Sequence, residues 1–131
     1  MVQRLSHISL GSRNLGRAID FYQNLLGTEI AHEFRNGAGE LYGVFLSIGG
    51  GTFLEIFNDP ILENGKNCFR HFAIEVDDIE MAASKARDLG LVVEIKRGRT
   101  DRILQFHIYD PDGNQVEFQQ HDMESALRAF L

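Results

Sequence analysis

Residues 4–27, "RLSHISLGSRNLGRAIDFYQNLLG", change their hydrophobic period midway, and that change decides the fold. Up to Leu10 the pattern alternates as in a strand, with Leu5, His7 and Ser9 on one face and Ile8 and Leu10 on the other. From Asn14 onward, Leu15, Ala18, Ile19, Tyr22 and Leu26 recur at helical spacing. Asn14 suits an N-cap and Gly27 a C-terminal stop. Three strand-like runs follow, "EIAHEFR" (29–35), "YGVFLSI" (42–48) and "TFLEIF" (52–57), separated by the turn segments "NGAGE" and "GGG".

The same order then returns. "CFRHFAIEV" (68–76) alternates like a strand, and "DDIEMAASKARDLG" (77–90) puts Ile79, Ala82, Ala83, Ala86 and Leu89 on one helical face. Asp77 or Asp78 can cap that helix and Gly90 can end it. "LVVEIKR", "RILQFHIY" and "NQVEFQQ" supply three more strands, the last two joined by the tight turn "DPDG". The pattern predicts an α+β fold of two βαβββ modules, 1–58 and 69–120, in one domain spanning 1–131. Residues 59–68 read as a linker and 123–131 as a terminal helix.

Two glutamates stand out against this frame. Glu55 lies between Leu54 and Ile56, and Glu117 between Val116 and Phe118. An unpaired charge in an apolar setting is costly and is normally neutralised, paired or bound to a metal. The repeat relates these residues: His71 follows His7 by 64 residues, and Glu117 follows Glu55 by 62. Alternation puts all four on the sheet face opposite the helix. Facing modules would bring His7, Glu55, His71 and Glu117 together as nitrogen and oxygen ligands without thiolate, a set suited to one divalent Zn, Ni, Co, Mn or Fe. His32 and His121 are assigned structural or surface roles, and His107 a place beside the site or in a pocket.

Bulk properties bound the alternatives. The 131 residues are 44% hydrophobic and 24% charged, with a formal net charge of −6. That charge, without a lysine- or arginine-rich run to offset it, argues against nucleic acid as the main partner. One cysteine, Cys68, forbids an intrachain disulfide, and no stretch reaches membrane-spanning length. The expectation is a cytoplasmic protein without a membrane partner, acting on a small molecule. A homodimer is expected as well, because each sheet leaves an apolar face and open strand edges to cover.

"LSHISLGSRNLGRAIDFYQNLLG", "FLEIF", "RHFAIEVDDIE" and "YDPDGNQVEF" together resemble the vicinal-oxygen-chelate superfamily, which includes glyoxalase I, methylmalonyl-CoA epimerase, extradiol dioxygenases and the fosfomycin and bleomycin resistance proteins. The resemblance implies an incomplete barrel around a metal site. Its ligand pattern is closest to glyoxalase I, whose short bacterial form has His, Glu, His and Glu at the positions of His7, Glu55, His71 and Glu117. It implies a metal-dependent lyase or isomerase moving a proton through a metal-held enediolate of a small α-oxygenated substrate. Glu117 is then the principal base and Glu55 a ligand and second base, an assignment the sequence leaves reversible.

Glutathione use is in doubt, because the arginine of glutathione-using members has no counterpart among Ser9, Leu10 and Gly11. Phe34, Phe45, Phe53, Phe57 and Phe106 are candidates for a pocket wall, and Arg97, Arg99 and Arg102 for a carboxylate or phosphate site. An Fe(II) extradiol-type dioxygenase and a non-catalytic small-molecule binding or resistance protein are the alternatives.

Overall fold

The computed structural model describes residues 4, 5, 7–63 and 71–131. They fall into two compact units, Met1–Lys66 and Asn67–Leu131. The first contains β1 (His7–Ser12), α1 (Leu15–Leu26), β2 (Glu29–Arg35), β3 (Leu41–Gly49) and β4 (Thr52–Asn58). The second repeats the order with β5 (Phe72–Glu75), α2 (Ile79–Asp88), β6 (Lys96–Arg97), β7 (Leu104–Tyr109) and β8 (Gln115–Gln120). Each unit is a βαβββ module with a mixed four-stranded sheet, ordered β1-β4-β3-β2 and β5-β8-β7-β6. The first strand of each pairs parallel with the last, and the other pairings are antiparallel.

Local chemistry sets the helix ends. Asn14 is extended (φ −145°, ψ 95°), and its Oδ1 accepts from the Arg17 N–H at 3.0 Å. Gly27 adopts a left-handed φ of 64° and donates its N–H to the Gln23 carbonyl. Such a φ is strained for residues with a Cβ. Asp78 caps α2 by accepting from the Met81 N–H at 3.0 Å. The next donor, the Ile79 N–H, goes to Gln120 Oε1 at 2.8 Å and so ties α2 to β8.

Each helix covers one face of its own sheet. Ala18, Ile19 and Tyr22 of α1 are buried with Val44, Leu54 and Ile56 of the sheet, and Leu25, rather than Leu26, completes the helix face. In the second unit Ala83 and Ala86 are buried with Val116 and Phe118, and Phe106 stacks on Phe118 with ring centroids 4.8 Å apart. Burying each large apolar side chain contributes about 1.5–3 kcal/mol, which fixes which face of each strand turns inward.

Two sequence expectations are corrected. The strand expected over 91–97 is reduced to Lys96–Arg97. The Leu91 N–H bonds back to the Ala86 carbonyl, and the Val93 carbonyl accepts from Arg87 Nη2, so this backbone completes the end of α2 instead of a sheet edge. The helix expected over 123–131 is a run of turns with a single 3₁₀ turn at Arg128–Phe130. The Ala126 N–H goes to the Asp101 carbonyl at 2.8 Å, which removes a donor that an α-helix would need. The expected linker from residue 64 to 68, which includes Cys68, lies outside the described residues.

Candidate metal centre

The parallel pairings place histidine and glutamate by the same rule in both units. In β1 and β4, Ser9 is the register partner of Glu55, and His7 lies two residues before Ser9. In β5 and β8, Ala73 is the partner of Glu117, and His71 lies two residues before Ala73. Two residues along a strand return a side chain to the same face, so each histidine is the diagonal neighbour of its glutamate. His7 Nε2 lies 3.9 Å from Glu55 Oε1, and His71 Nε2 lies 3.3 Å from Glu117 Oε2.

Both glutamate side chains are nearly enclosed, 15% exposed for Glu55 and 11% for Glu117, whereas His7 and His71 are 41% and 39% exposed. Each pair is therefore a sunken carboxylate beside an open imidazole. Bonds of about 2.0–2.1 Å from one metal leave adjacent ligand atoms roughly 2.8–3.4 Å apart, depending on coordination angle. The His71–Glu117 separation falls inside that range, and the His7–Glu55 pair needs a closure of about half an ångström to enter it. Among the described residues, no group of three or more histidine, cysteine, aspartate or glutamate side chains is already arranged to hold a metal. Each unit offers one such His–Glu pair.

Glu117 owes its placement to the turn before it. Asp110 Oδ1 accepts from the backbone N–H groups of Asp112 and Asn114 at 2.9 and 2.8 Å, and Asp110 Oδ2 accepts from Asn114 Nδ2 at 2.7 Å. Gly113 closes the turn with a φ of 85°. This locks the register of β7 on β8, and with it the pairing of His107 with Glu117. His107 Nε2 meets Glu117 Oε2 at 2.8 Å, and its ring stands edge-on to His71 with centroids 5.8 Å apart. The alternation of "FHIY" places His107 on the face of Glu117 but does not reveal the contact.

Around Glu55 the surroundings are aromatic. Phe45 is its register partner on β3 and meets the His7 ring edge-on at 5.4 Å. Phe34 contacts both Phe45 and Phe57, at 5.4 and 5.1 Å. Phe57 lies across Gly43, where a Cβ would come within 2.4 Å of its ring. Ala31, His32, Phe45 and Phe53 line a cavity of about 390 Å³. Phe106 belongs elsewhere: it is buried in the core of the second unit.

Of the three candidate arginines, two are already engaged. Arg97 grips Asp122 through two bonds, Nη1–Oδ1 at 3.1 Å and Nη2–Oδ2 at 2.7 Å, and Arg102 Nη2 reaches Glu124 Oε1 at 3.3 Å. The Arg97 guanidinium, helped by the Glu124 N–H, holds the Asp122 carboxyl down to about 2. Arg97 and Arg102 thus fasten the C-terminal segment to the loop before β7.

The family model described as the Glyoxalase/Bleomycin resistance protein/Dioxygenase superfamily matches residues 4–118. The chain belongs to that superfamily. Among relatives of this superfamily member, a lactoylglutathione lyase of Neisseria meningitidis is 34% identical over 127 residues, covering 89% of this chain and 90% of the relative. A glyoxalase family protein from Enterococcus faecalis shares the fold with a TM-score of 0.75 at 22% identity, covering 89% of this chain and 97% of that one. The fosfomycin resistance protein FosX from Listeria monocytogenes, solved as a glutamate-to-glutamine mutant with Mn(II) and 1S,2S-dihydroxypropylphosphonic acid, aligns with a TM-score of 0.68 at 25% identity. That alignment covers 95% of this chain and 97% of FosX.

Proposed function

We propose that this glyoxalase-type protein is a metal-dependent lyase or isomerase that moves a proton between adjacent carbons of a small α-oxygenated substrate. The observation that carries the reading is the matched pair of enclosed carboxylates, each with a diagonal histidine, in a chain 34% identical to a lactoylglutathione lyase. His7, Glu55, His71 and Glu117 are the ligands of one divalent metal, Zn, Ni, Co, Mn or Fe, within one chain or across a homodimer. The Mn(II) bound by the FosX relative supports a divalent ion. The single cysteine of the sequence supports a cytoplasmic setting.

A divalent ion held by these four residues would supply a Lewis acid that acidifies a C–H beside a substrate oxygen. Glu117 removes that proton and returns it to the adjacent carbon. Its Oε1 is the atom that carries the proton, since Oε2 meets His107 Nε2 at 2.8 Å and has His71 Nε2 beside it at 3.3 Å. Glu55, set among phenylalanines with His7 at 3.9 Å, is a ligand and second base. The aromatic cavity of the first unit, lined by Phe45 and Phe53, accepts an apolar portion of the substrate.

The test is hydrogen exchange in deuterated water, followed by NMR, with metal-loaded protein. The panel comprises S-lactoylglutathione, simple 2-hydroxycarbonyls and their thiol adducts. Deuterium entering the carbon beside the carbonyl of at least one compound supports the reading, and its loss in Glu117→Gln assigns the base. A fully loaded protein that exchanges none of them contradicts it. Oxygen uptake with catechols would point instead to the dioxygenase alternative, and ligand binding without either reaction to a binding protein.

A further inference from the structure

The two carboxylates sit in the same place in the repeat but not in the same chemistry. On the strand facing Glu55, the register partner is Phe45; on the strand facing Glu117, it is His107. One position therefore presents an aromatic ring in the first unit and a hydrogen-bonding nitrogen in the second. We infer that His107 is a positioning residue that fixes the Glu117 carboxylate by donating its Nε2 proton to Oε2, an inference that rests on the metal-dependent reading above.

Register and contact distinguish the two imidazoles on that oxygen. His71 Nε2 is 3.3 Å from Oε2, a separation that two ligands of one metal can keep. His107 Nε2 is 2.8 Å away, the length of a charge-assisted N–H···O bond, and His107 is the β7 register partner of Glu117. In this assignment His107 carries its proton on Nε2 and donates it, while His71 keeps its Nε2 lone pair for the metal. The carboxylate has one rotatable bond that sets its plane, and a donor on Oε2 removes that freedom. Oε1 is left as the defined proton-carrying atom. The β3 partner of Glu55 is a phenyl ring, which supplies no such donor. The register thus distinguishes two carboxylates that the repeat makes alike, and it favours Glu117 as the oriented one.

The test is Co(II) titration of the full-length apo-protein, read by visible absorption, for the wild type and three variants. His107→Phe copies the first unit. His107→Gln carries an amide nitrogen out to the Nε2 position, and His107→Asn stops short of it. Outer hydrogen bonds of this kind typically change metal affinity about 10–100-fold, so His107→Phe and His107→Asn are expected to weaken Co(II) by that factor and shift the absorption bands, with His107→Gln within about threefold of wild type. Thermal melts of the apo forms check folding, and the Gln and Asn variants decide the matter between them if the Phe variant does not fold. Wild-type affinity and bands in all three variants would overturn the inference. So would equal loss in all three, which would make His107 a ligand. A wild type that binds no Co(II) would instead remove the metal reading itself, and the role of His107 with it.

Discussion

His71 stands two residues before Ala73, the β-sheet partner of Glu117, and its Nε2 lies 3.3 Å from Glu117 Oε2. His7 and Glu55 obey the same rule at 3.9 Å in the other unit. In each unit the strand register, β1 on β4 or β5 on β8, sets the His–Glu spacing as surely as the side chains do. Moving β5 by one residue would send His71 to the helix-covered face.

Acid sensitivity follows from Asp122. Its carboxyl titrates near 2 in the folded chain, below the ordinary value of 3.8, because Arg97 holds its charged form. A lowered folded value means the contribution to stability is complete above about pH 4 and disappears as pH falls through about 2. Thermal melts of wild type and Asp122→Asn should therefore differ at neutral pH and converge toward pH 2. A gap that persists unchanged at the acid end would show that the Arg97–Asp122 pair is not its origin.

Asn14→Ala removes the side chain that accepts from the Arg17 N–H at the start of α1. The expected loss is about 1 kcal/mol in urea unfolding. Asn14→Asp should retain most of the stability, since an aspartate oxygen also accepts at that position. Equal losses from both substitutions would place the role of Asn14 elsewhere.

The central helix–sheet contact of the first unit is more costly to disturb. Leu54 is fully buried opposite α1, and Leu54→Ala should destabilise the chain by about 2–5 kcal/mol. Phe53→Ala, one residue away on the aromatic face, should cost less in stability and change ligand preference instead. Denaturant melts and the exchange panel together separate the two effects. Equal destabilisation by both would mean that the aromatic face is core rather than cavity wall.

The two main helices, the β1-to-β4 order and the placing of His7, Glu55, His71 and Glu117 away from the helices were legible in the sequence because each rests on a short-range pattern. Asn14 and Gly27 mark the ends of α1 by their own backbone preferences, and alternation alone puts Glu55 and Glu117 away from the helices. What escaped depends on partners distant in the chain. Nothing near Ala126 shows that its N–H belongs to Asp101, so a nine-residue amphipathic stretch read as helix. Arg97 and Arg102 looked available for a ligand because Asp122 and Glu124, which engage them, lie more than twenty residues on. His107 was visible as a histidine on the right face, but its 2.8 Å contact depends on the register set by the Asp110 turn.

The most direct test is elemental analysis of purified protein by mass spectrometry, with wild type beside Glu55→Ala and Glu117→Ala. If both units supply ligands to the same ion, wild type carries about one divalent transition metal per chain and each single substitution depletes it strongly. Metal retained in Glu55→Ala but lost in Glu117→Ala would contradict that account. It would leave a centre in which the first unit's glutamate has no part.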